Sequence, residues 1–354
     1  MHTRRQFVTG SAAAIGVACS QPPQTAPEAS FWSPKVSENI GNLEDRTLRW
    51  MAQLGLKWVV LQGTDQVDSA AKGYWTTDDI SPLRERCTEF GLELYSLMIP
   101  LKWLMSPMLA QPDRDEWIDK IGRSVKAAGE AGIQMVEWRW SPDFKWGDDV
   151  GYYSTPGRGG ATYKSFDYGR VADRPPFDDV GVISRDEMWA RLEYFAKPVM
   201  EIAEAAGVKM SLHPKDPPVK AMRGVSRLLT NTDEIEGFLD GVDSPANGFT
   251  FCQGTVTEMG VDVIDAIRRI GGRGKIHHVH FRAVRGSVPR YTETFIDEGD
   301  VDMLEAMRAF KEVGYDGTLV SDHTPNLPTD LQGGTIGRSF SHGYIRGLIQ
   351  AVNR

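Results

Sequence analysis

Cysteine, excess basic charge and long apolar runs are all scarce in this chain of 354 residues. Its three cysteines, Cys19, Cys87 and Cys252, are too few to build a disulfide framework, which excludes a disulfide-stabilised miniprotein. Lysine and arginine number 40 against 48 acidic residues, and the net charge of −8 argues against a nucleic-acid partner. The composition, 41% hydrophobic and 25% charged, is that of an ordinary globular protein.

The longest apolar stretch, residues 7–19, is too short and too rich in small residues to span a bilayer as a helix. It follows Arg4-Arg5 and precedes a segment rich in Pro, Gln, Ser and Ala that ends near Ser30. Paired arginines ahead of such a run are typical of a twin-arginine export signal. We therefore predict a leader over residues 1–30, the twin-arginine export machinery as a partner, and an exported or periplasmic location. A disordered basic N-terminus is the alternative.

Cys19 stands directly after Gly16-Val17-Ala18, which is compatible with a lipoprotein cleavage site and hence with a lipid anchor at Cys19. Ordinary cleavage nearby is equally compatible, so both alternatives stay open. Removal of the leader leaves Cys87 and Cys252, which we expect to be free thiols.

From about Ser30 onward, short β-rich runs alternate with helical patterns, and no low-complexity linker divides them. This alternation predicts parallel strands joined by crossover helices. The eight predicted strands are Phe31–Val36, Lys57–Gln62, Leu92–Ile99, Gln134–Trp138, Lys209–His213, Gly248–Cys252, Lys275–Arg282 and Thr318–Asp322. Eight such units predict one α/β domain over residues 31–354, a (β/α)8 TIM barrel. A doubly wound sheet is the alternative, but no Gly-x-Gly-x-x-Gly follows the first strand.

Several helices are marked by their own sequences. Asp115–Ala131 carries apolar residues close to the helical period, and the last helix is predicted over Arg338–Val352. Ser184 with Glu187 three residues later forms a capping box that opens a third helix. The connection from Ser141 to Pro176 is the longest, and in a barrel it follows the fourth strand on the catalytic face.

Four residues that can bind metal stand at or near the ends of four consecutive predicted strands: His213, Cys252, His280 and Asp322. In a barrel the carboxyl ends of the strands converge on one mouth. A single histidine or buried cysteine is more often structural, but four at equivalent positions predict a divalent metal site. An apolar or hydrogen-bonded core is the alternative.

Strand alternation predicts what surrounds this site. If His280 points inward, Arg282 lies just above it, where a guanidinium can grip a carboxylate or a sugar oxygen. If Asp322 points inward, His323 lies on the rim, where an imidazole serves as general acid or base. The proline-rich turn after the fifth strand holds Lys215 over the mouth, either as an anion-binding or proton-transfer group or as part of a structural turn.

Five segments together resemble the mannonate dehydratase family. They are His213-Pro-Lys-Asp-Pro-Pro, Ser244-Pro-Ala-Asn-Gly-Phe-Thr-Phe-Cys-Gln-Gly-Thr, Val279-His-Phe-Arg, Glu293-Thr-Phe-Ile-Asp-Glu-Gly-Asp-Val-Asp-Met and Asp322-His. The resemblance runs in order from about Arg158-Gly-Gly-Ala to the C-terminus, and more loosely from Leu54.

This resemblance implies a xylose-isomerase-like barrel that dehydrates D-mannonate to 2-dehydro-3-deoxy-D-gluconate and associates as a homo-oligomer. It implies that His213, Cys252, His280 and Asp322 bind a divalent cation, usually Mn²⁺, and that His323 acts in proton transfer. A thiolate ligand favours zinc or iron over manganese, so Fe²⁺, Co²⁺ and Zn²⁺ remain alternatives.

The chain departs from the family pattern at three places that concern the substrate. Val320-Ser321-Asp322-His323 stands where the family has Arg-Pro-Asp-His, and Lys215 replaces an aspartate. Gly334-Thr335-Ile336-Gly337 lacks the tyrosine of the family's Gly-Tyr-Gly segment. A retained metal site with altered substrate contacts is the pattern expected for a related sugar acid.

Two other functions stay open on the sequence. The first is an exported sugar isomerase or epimerase on the same metal barrel, which would conserve the mass of its substrate where a dehydratase removes water. The second is a non-catalytic sugar-binding protein that has kept the metal site, against which the presence of His323 argues.

Overall fold

The computed structural model describes residues 31–64, 72–143, 145, 147–330 and 334–354. Its strands, in chain order, are β1 (Lys35–Ile40), β2 (Trp58–Leu61), β3 (Glu93–Met98), β4 (Met135–Arg139), β5 (Tyr152–Pro156), β6 (Thr162–Asp167), β7 (Lys209–His213), β8 (Ala221–Met222), β9 (Val225–Ser226), β10 (Asn247–Cys252), β11 (Ile276–His280), β12 (Val284–Ser287), β13 (Arg290–Glu293) and β14 (Thr318–Val320). Its α-helices are α1 (Asp45–Gln53), α2 (Thr77–Thr88), α3 (Leu101–Leu109), α4 (Arg114–Glu130), α5 (Arg185–Ala206), α6 (Thr232–Gly241), α7 (Gln253–Glu258), α8 (Val263–Gly271), α9 (Met303–Glu312) and α10 (Thr335–Val352).

Eight parallel strands close into a barrel, in the order β1-β14-β11-β10-β7-β4-β3-β2. The connections between successive barrel strands carry helices, as a parallel sheet requires. The predicted (β/α)8 barrel is therefore confirmed. The predicted leader over residues 1–30, with Cys19, lies outside the described residues and remains a prediction, as does its boundary with the barrel domain.

The local helix signals are confirmed where the structure shows them. Ser184 and Glu187 form both hydrogen bonds of the capping box that opens α5, and Gly207 ends that helix with a left-handed φ of 67°. The helix predicted over Asp115–Ala131 is α4, displaced by one residue. Within the described residues, no helix combines the length and the apolar character that a membrane span needs.

The first strand is the clear error of the sequence analysis. It was predicted over Phe31–Val36, whereas β1 runs from Lys35 to Ile40. The strand pairs with β2 through Ser37-Glu38-Asn39, and all three of these polar side chains are buried. A polar run is a poor strand signal by itself, because hydrophobic pattern is what normally marks a buried strand.

The barrel strands present one face to the helices and the other to the barrel interior. On β4, the Trp138 ring packs outward against Phe195 of α5 and Phe238 of α6, with centroids 5.2 and 6.3 Å away. Burial of each such ring stabilises the fold by roughly 1.5–3 kcal/mol. The interior is polar instead: Ser211 shares a hydrogen bond of 2.7 Å with Thr250 on the neighbouring strand. A polar interior is what allows ligating side chains to collect at the mouth.

The long connection after β4 contains a hairpin, β5-β6, in its described part. It pairs with a second hairpin, β12-β13, which follows barrel strand β11, to form an antiparallel sheet in the order β12-β13-β6-β5. Both hairpins leave the carboxyl ends of barrel strands, so this sheet lies at the face where the predicted site residues end their strands. The prediction that the connection belongs to this face is confirmed.

Candidate active site and metal centre

Three of the predicted metal ligands, His213, Cys252 and His280, are the last residues of β7, β10 and β11. One ligand atom from each lies within 4.8 Å of the other two, and all three side chains are buried. The strands are in register at this level, since Cys252 is paired with His280. The fourth, Asp322, follows β14, and its Oδ1 is 3.4 Å from His280 Nδ1. The fold thus brings all four predicted residues together.

Neighbouring groups fix how the two imidazoles face this centre. The Nδ1 of His213 is hydrogen-bonded to the carbonyl oxygen of Pro214, which leaves its Nε2 directed at the site, 3.1 Å from His280 Nδ1. The outer contact with Pro214 therefore selects the tautomer and the ring orientation that His213 needs as a ligand. The other nitrogen of His280, Nε2, accepts from Asn39 Nδ2 at 3.2 Å, which fixes the orientation of that ring.

Asp322 reaches the site through an unusual backbone conformation. Its φ of 53° is left-handed, which aspartate tolerates better than most residues. The turn sets its Oδ2 3.0 Å from Arg282 Nε. Burial alone would raise the pKa of Asp322, but the neighbouring His280, His323 and Arg282 hold it well below its usual range. The group is therefore a carboxylate at neutral pH.

The donor set fits a divalent cation. Two imidazoles, a thiol and a carboxylate, all buried within a few ångströms, are the groups that bind zinc, iron, cobalt or manganese. Burial and the neighbouring His280 lower the pKa of His213 well below its usual value, which favours the neutral imidazole that ligates metals. Asp322 raises the pKa of His280 against the effect of burial, so a proton and a cation compete for the same nitrogen.

A second group of buried donors, which the sequence analysis missed, lies below this centre. Glu137, His278 and His280 also offer ligand atoms within 4.8 Å of one another. Among the described residues, Glu137 Oε1 and His278 Nε2 have no hydrogen-bond partner. The sequence did contain a signal for this group. A buried barrel strand is normally apolar on both faces, and β4 instead carries two charged residues in alternation, Glu137 and Arg139.

The guanidinium of Arg282 is surrounded by carboxylates of this chain. Arg282 lies above His280 as expected, but its guanidinium is buried and already engaged: Nη1 donates to Glu258 Oε1 and Nη2 to Asp216 Oδ2, each at 2.9 Å. Its Nε lies 3.0 Å from Asp322 Oδ2 in an ion pair but makes no hydrogen bond, so a contact between Arg282 and a substrate oxygen remains a prediction. These contacts allow Arg282 to orient Asp322 and the neighbouring carboxylates.

The carboxylates around Arg282 differ strongly in their acidity. Burial, together with Asp216 and Glu293, raises the pKa of Glu258 to about 8, although Arg282 opposes this. Burial would also raise the pKa of Glu293, but His323, Lys164 and Arg282 lower it far below its usual range. The pKa values of the neighbouring Glu258 and Glu293 are thus shifted in opposite directions, as in sites that separate acid and base roles.

His323 lies on the rim of the mouth, as predicted, with 39% of its side chain exposed. Its Nδ1 is 2.9 Å from Glu293 Oε2, and its Nε2 is 3.8 Å from Asp322 Oδ1. When Nδ1 donates to the carboxylate of Glu293, Nε2 is left to take up or release a proton. Asp216, Glu293 and His323 form a third cluster of close donor atoms at this rim.

Lys215 lies at the mouth beyond His213, and its Nζ donates to the carbonyl oxygen of Asp143 at 3.3 Å. Burial lowers the pKa of Lys215 to about 8, with the Asp143 carboxylate opposing this and Arg227 adding to it. Asp143 is itself held by a buried ion pair with Arg227. The turn after β7 therefore places Lys215 next to the buried ion pair of Asp143 and Arg227.

Comparisons with known proteins agree with this geometry. The family model described as D-mannonate dehydratase (UxuA) matches residues 166–354 of the chain. A mannonate dehydratase of Streptococcus equi subsp. zooepidemicus is 31% identical over 310 residues, which cover 79% of this chain and 84% of the relative. The chain belongs to the D-mannonate dehydratase family. Because the members of this family are hydro-lyases, the chain is an enzyme of that class.

Solved structures agree with the D-mannonate dehydratase assignment. The crystal structure of mannonate dehydratase from Streptococcus suis serotype 2 matches with a TM-score of 0.81 and 28% identity, covering 90% of this chain and 95% of that one. A D-psicose 3-epimerase from Clostridium cellulolyticum H10 matches with a TM-score of 0.61 and 14% identity, covering 89% of this chain and 99% of that one. The second likeness shows a common barrel fold alone.

Proposed function

We propose that this chain removes water from a sugar acid, D-mannonate or a close relative, with a divalent cation bound by His213, Cys252, His280 and Asp322. The observation that carries the proposal is the convergence of these four donors directly beneath the rim imidazole of His323. Membership of a hydro-lyase family supports the reaction class.

The reaction takes the proton from C2 and the hydroxyl group from C3, and the enol that forms rearranges to a 2-keto-3-deoxy acid. When bound, a divalent cation supplies positive charge that stabilises negative charge developing on the substrate carboxylate. The chain's contribution at this point is orientation. His213 and Asp322 are held in place by Pro214 and Arg282, so the donors do not have to be reorganised during the reaction.

Proton movement falls to His323. Its Nδ1 is held by Glu293, which keeps Nε2 directed away from that carboxylate and free to exchange a proton with the substrate. Lys164 donates to the other oxygen of Glu293 at 2.9 Å and keeps it charged, so the carboxylate also stabilises the imidazolium when it forms. Lys164 lies on β6 and Glu293 on β13, so the antiparallel sheet contributes both residues that orient His323.

Metal identity, location and assembly are part of the same proposal. Manganese is the ion that the family resemblance implies, while the thiolate of Cys252 favours Fe²⁺, Co²⁺ or Zn²⁺. The Arg4-Arg5 leader supports export to the periplasm in the folded state, with Cys19 as a point of lipid attachment or simple cleavage nearby. Association into a homo-oligomer rests on the family resemblance.

The test is a reaction panel with the mature chain loaded separately with Mn²⁺, Fe²⁺, Co²⁺ or Zn²⁺. D-mannonate and other aldonic and uronic acids are incubated with each form, and products are analysed by mass. Loss of water from D-mannonate supports the full proposal, and loss only from another acid supports the reaction but changes the substrate. Rearrangement without mass change favours the isomerase or epimerase, and no reaction in any form overturns the proposal.

A further inference from the structure

Arg139 is a cation at the mouth that neither the proposed metal site nor the proton transfer uses. It is the last residue of β4 and is paired in register with His213 on β7. Since Trp138 packs outward on the helices, alternation directs its neighbour Arg139 into the barrel mouth. Burial is the main cause of the lowered pKa values of His213 and Lys215, and the charge of the neighbouring Arg139 lowers both further.

The guanidinium of Arg139 has no partner among the described residues. No ion pair or hydrogen bond joins it to them, and its Nε is buried without an acceptor. Two fully buried arginines at this face are neutralised, Arg227 by Asp143 and Arg282 by Asp216 and Glu258. Arg139 is half-buried, with its Nε shielded from water. Charged groups that lose contact with water in native proteins are normally paired. An arginine that faces an active site and has no partner among the described residues indicates an anionic ligand.

The position of Arg139 specifies what that anion is. A guanidinium offers a planar fork of donors that matches a carboxylate in bidentate fashion. Arg139 lies level with His213, so a carboxylate bound to it also borders the proposed metal centre. Val320, at the corresponding place on β14, is buried and apolar and provides no cation there.

We infer that Arg139 binds the carboxylate of the sugar acid and thereby sets the specificity of this chain for acids over neutral sugars. The inference rests on the proposed function, because it presumes a sugar acid at this mouth. Because C2 is the carbon bonded to the carboxylate, holding that group at Arg139 also fixes the end of the substrate from which the dehydration removes a proton.

The test compares two ligands that differ at one carbon, D-mannonate and D-mannitol, in which the carboxylate is replaced by a hydroxymethyl group. Binding is measured by calorimetry on the metal-loaded full chain carrying His323→Ala, which we expect to slow turnover by about 10²- to 10⁴-fold. We expect the added change Arg139→Gln to raise the dissociation constant of D-mannonate about 10- to 100-fold, since a charge-assisted bidentate contact is lost. The dissociation constant of D-mannitol should change by less than about twofold. The dissociation constant of D-mannonate for Arg139→Lys should lie between those for Arg139 and Arg139→Gln. Lysine keeps the positive charge but lacks the planar pair of donors.

Two controls separate binding from folding. Arg158→Gln removes another arginine, one that Asp297 already neutralises through two hydrogen bonds of 2.8 and 2.9 Å, and should leave both dissociation constants unchanged. The thermal midpoint of Arg139→Gln without ligand should be unchanged or higher, because an unpaired partly buried charge is removed. A lower midpoint would instead indicate a structural role.

The outcomes distinguish this inference from the function on which it rests. If Arg139→Gln loses affinity equally for D-mannonate and D-mannitol, or loses affinity for neither, the assignment of Arg139 is overturned. The dehydratase proposal is unaffected by either result. If the chain with Arg139 intact binds neither D-mannonate nor any acid of the reaction panel, both proposals fall.

Discussion

Ser321 donates its hydroxyl hydrogen to Glu38 Oε2 across 2.9 Å, and this bond ties the end of β14 to β1 directly before Asp322. Glu38 is fully buried and accepts three further hydrogen bonds, from Asn39 N, Arg338 Nη1 and His342 Nε2. The left-handed turn at Asp322 is thus anchored from the side opposite the proposed metal centre. Breaking that anchor should loosen a proposed ligand without touching it.

Ser321→Ala is expected to weaken metal binding by about tenfold, the low end for groups that support a ligand from outside the first coordination sphere. The measurement is a metal titration of the full chain by calorimetry, with the absorption spectrum of the Co²⁺ form as a readout of ligand geometry. Ser37→Ala is the matched control, because Ser37 is also buried between β1 and β14 and contacts Leu319 O at 3.4 Å. Equal affinities in the two variants would contradict an anchoring role.

Glu38→Gln is expected to lower the free energy of unfolding by about 1.5–3 kcal/mol near neutral pH, because charge-assisted hydrogen bonds are lost. Burial would raise the pKa of Glu38, but Arg338 and His342 lower it below its ordinary value of 4.5. A lowered pKa in the folded state stabilises the protein above about pH 4.5, and this stabilisation disappears as the pH falls through the folded pKa. The measurement is denaturant unfolding of the unmodified chain and of Glu38→Gln between neutral and acidic pH. The difference between their free energies of unfolding should become smaller as the pH falls.

Cys252→Ala should abolish the thiolate-to-metal charge-transfer band of the Co²⁺ form and weaken metal binding by at least about 100-fold, because a direct ligand is lost. Cys87→Ala is the internal control. That thiol is also buried, and burial raises its pKa to about 12, so it stays protonated and takes no part in metal binding. A charge-transfer band that persists in Cys252→Ala would remove Cys252 from the ligand set.

His323→Ala should reduce turnover of the substrate by about 10²- to 10⁴-fold, the usual contribution of a general acid or base. Metal affinity should hardly change, because His323 is not among the proposed ligands. Glu293→Gln should give a smaller loss, since the imidazole keeps its place but loses the charge that orients it. Full turnover by His323→Ala would assign the proton transfer to another group.

The sequence predicted those features that local rules govern. The Ser184 and Glu187 capping box predicted the start of α5, because a helix cap forms from residues three positions apart. His213, Cys252, His280 and Asp322 were predicted to meet because equivalent strand ends in a parallel barrel converge, whatever the details of packing. The rim position of His323 followed from the period of two along a strand.

What the sequence left open concerns residues whose partners are remote in the chain. Arg282 was expected to face the substrate, and the alternation that placed it was correct. Its partners Asp216 and Glu258 come from two other connections, which no periodicity predicts. Glu137 and Arg139 were missed because an isolated strand does not reveal which of its charged residues finds a counter-ion.

The sequence by itself determined the barrel, the order of its strands and the ring of potential ligands at its mouth, since these follow from alternation and periodicity. Only the tertiary structure decided which charges are neutralised. Arg282 is surrounded by carboxylates while Arg139 has none among the described residues, because electrostatic pairing depends on distances across the barrel rather than on separation along the chain.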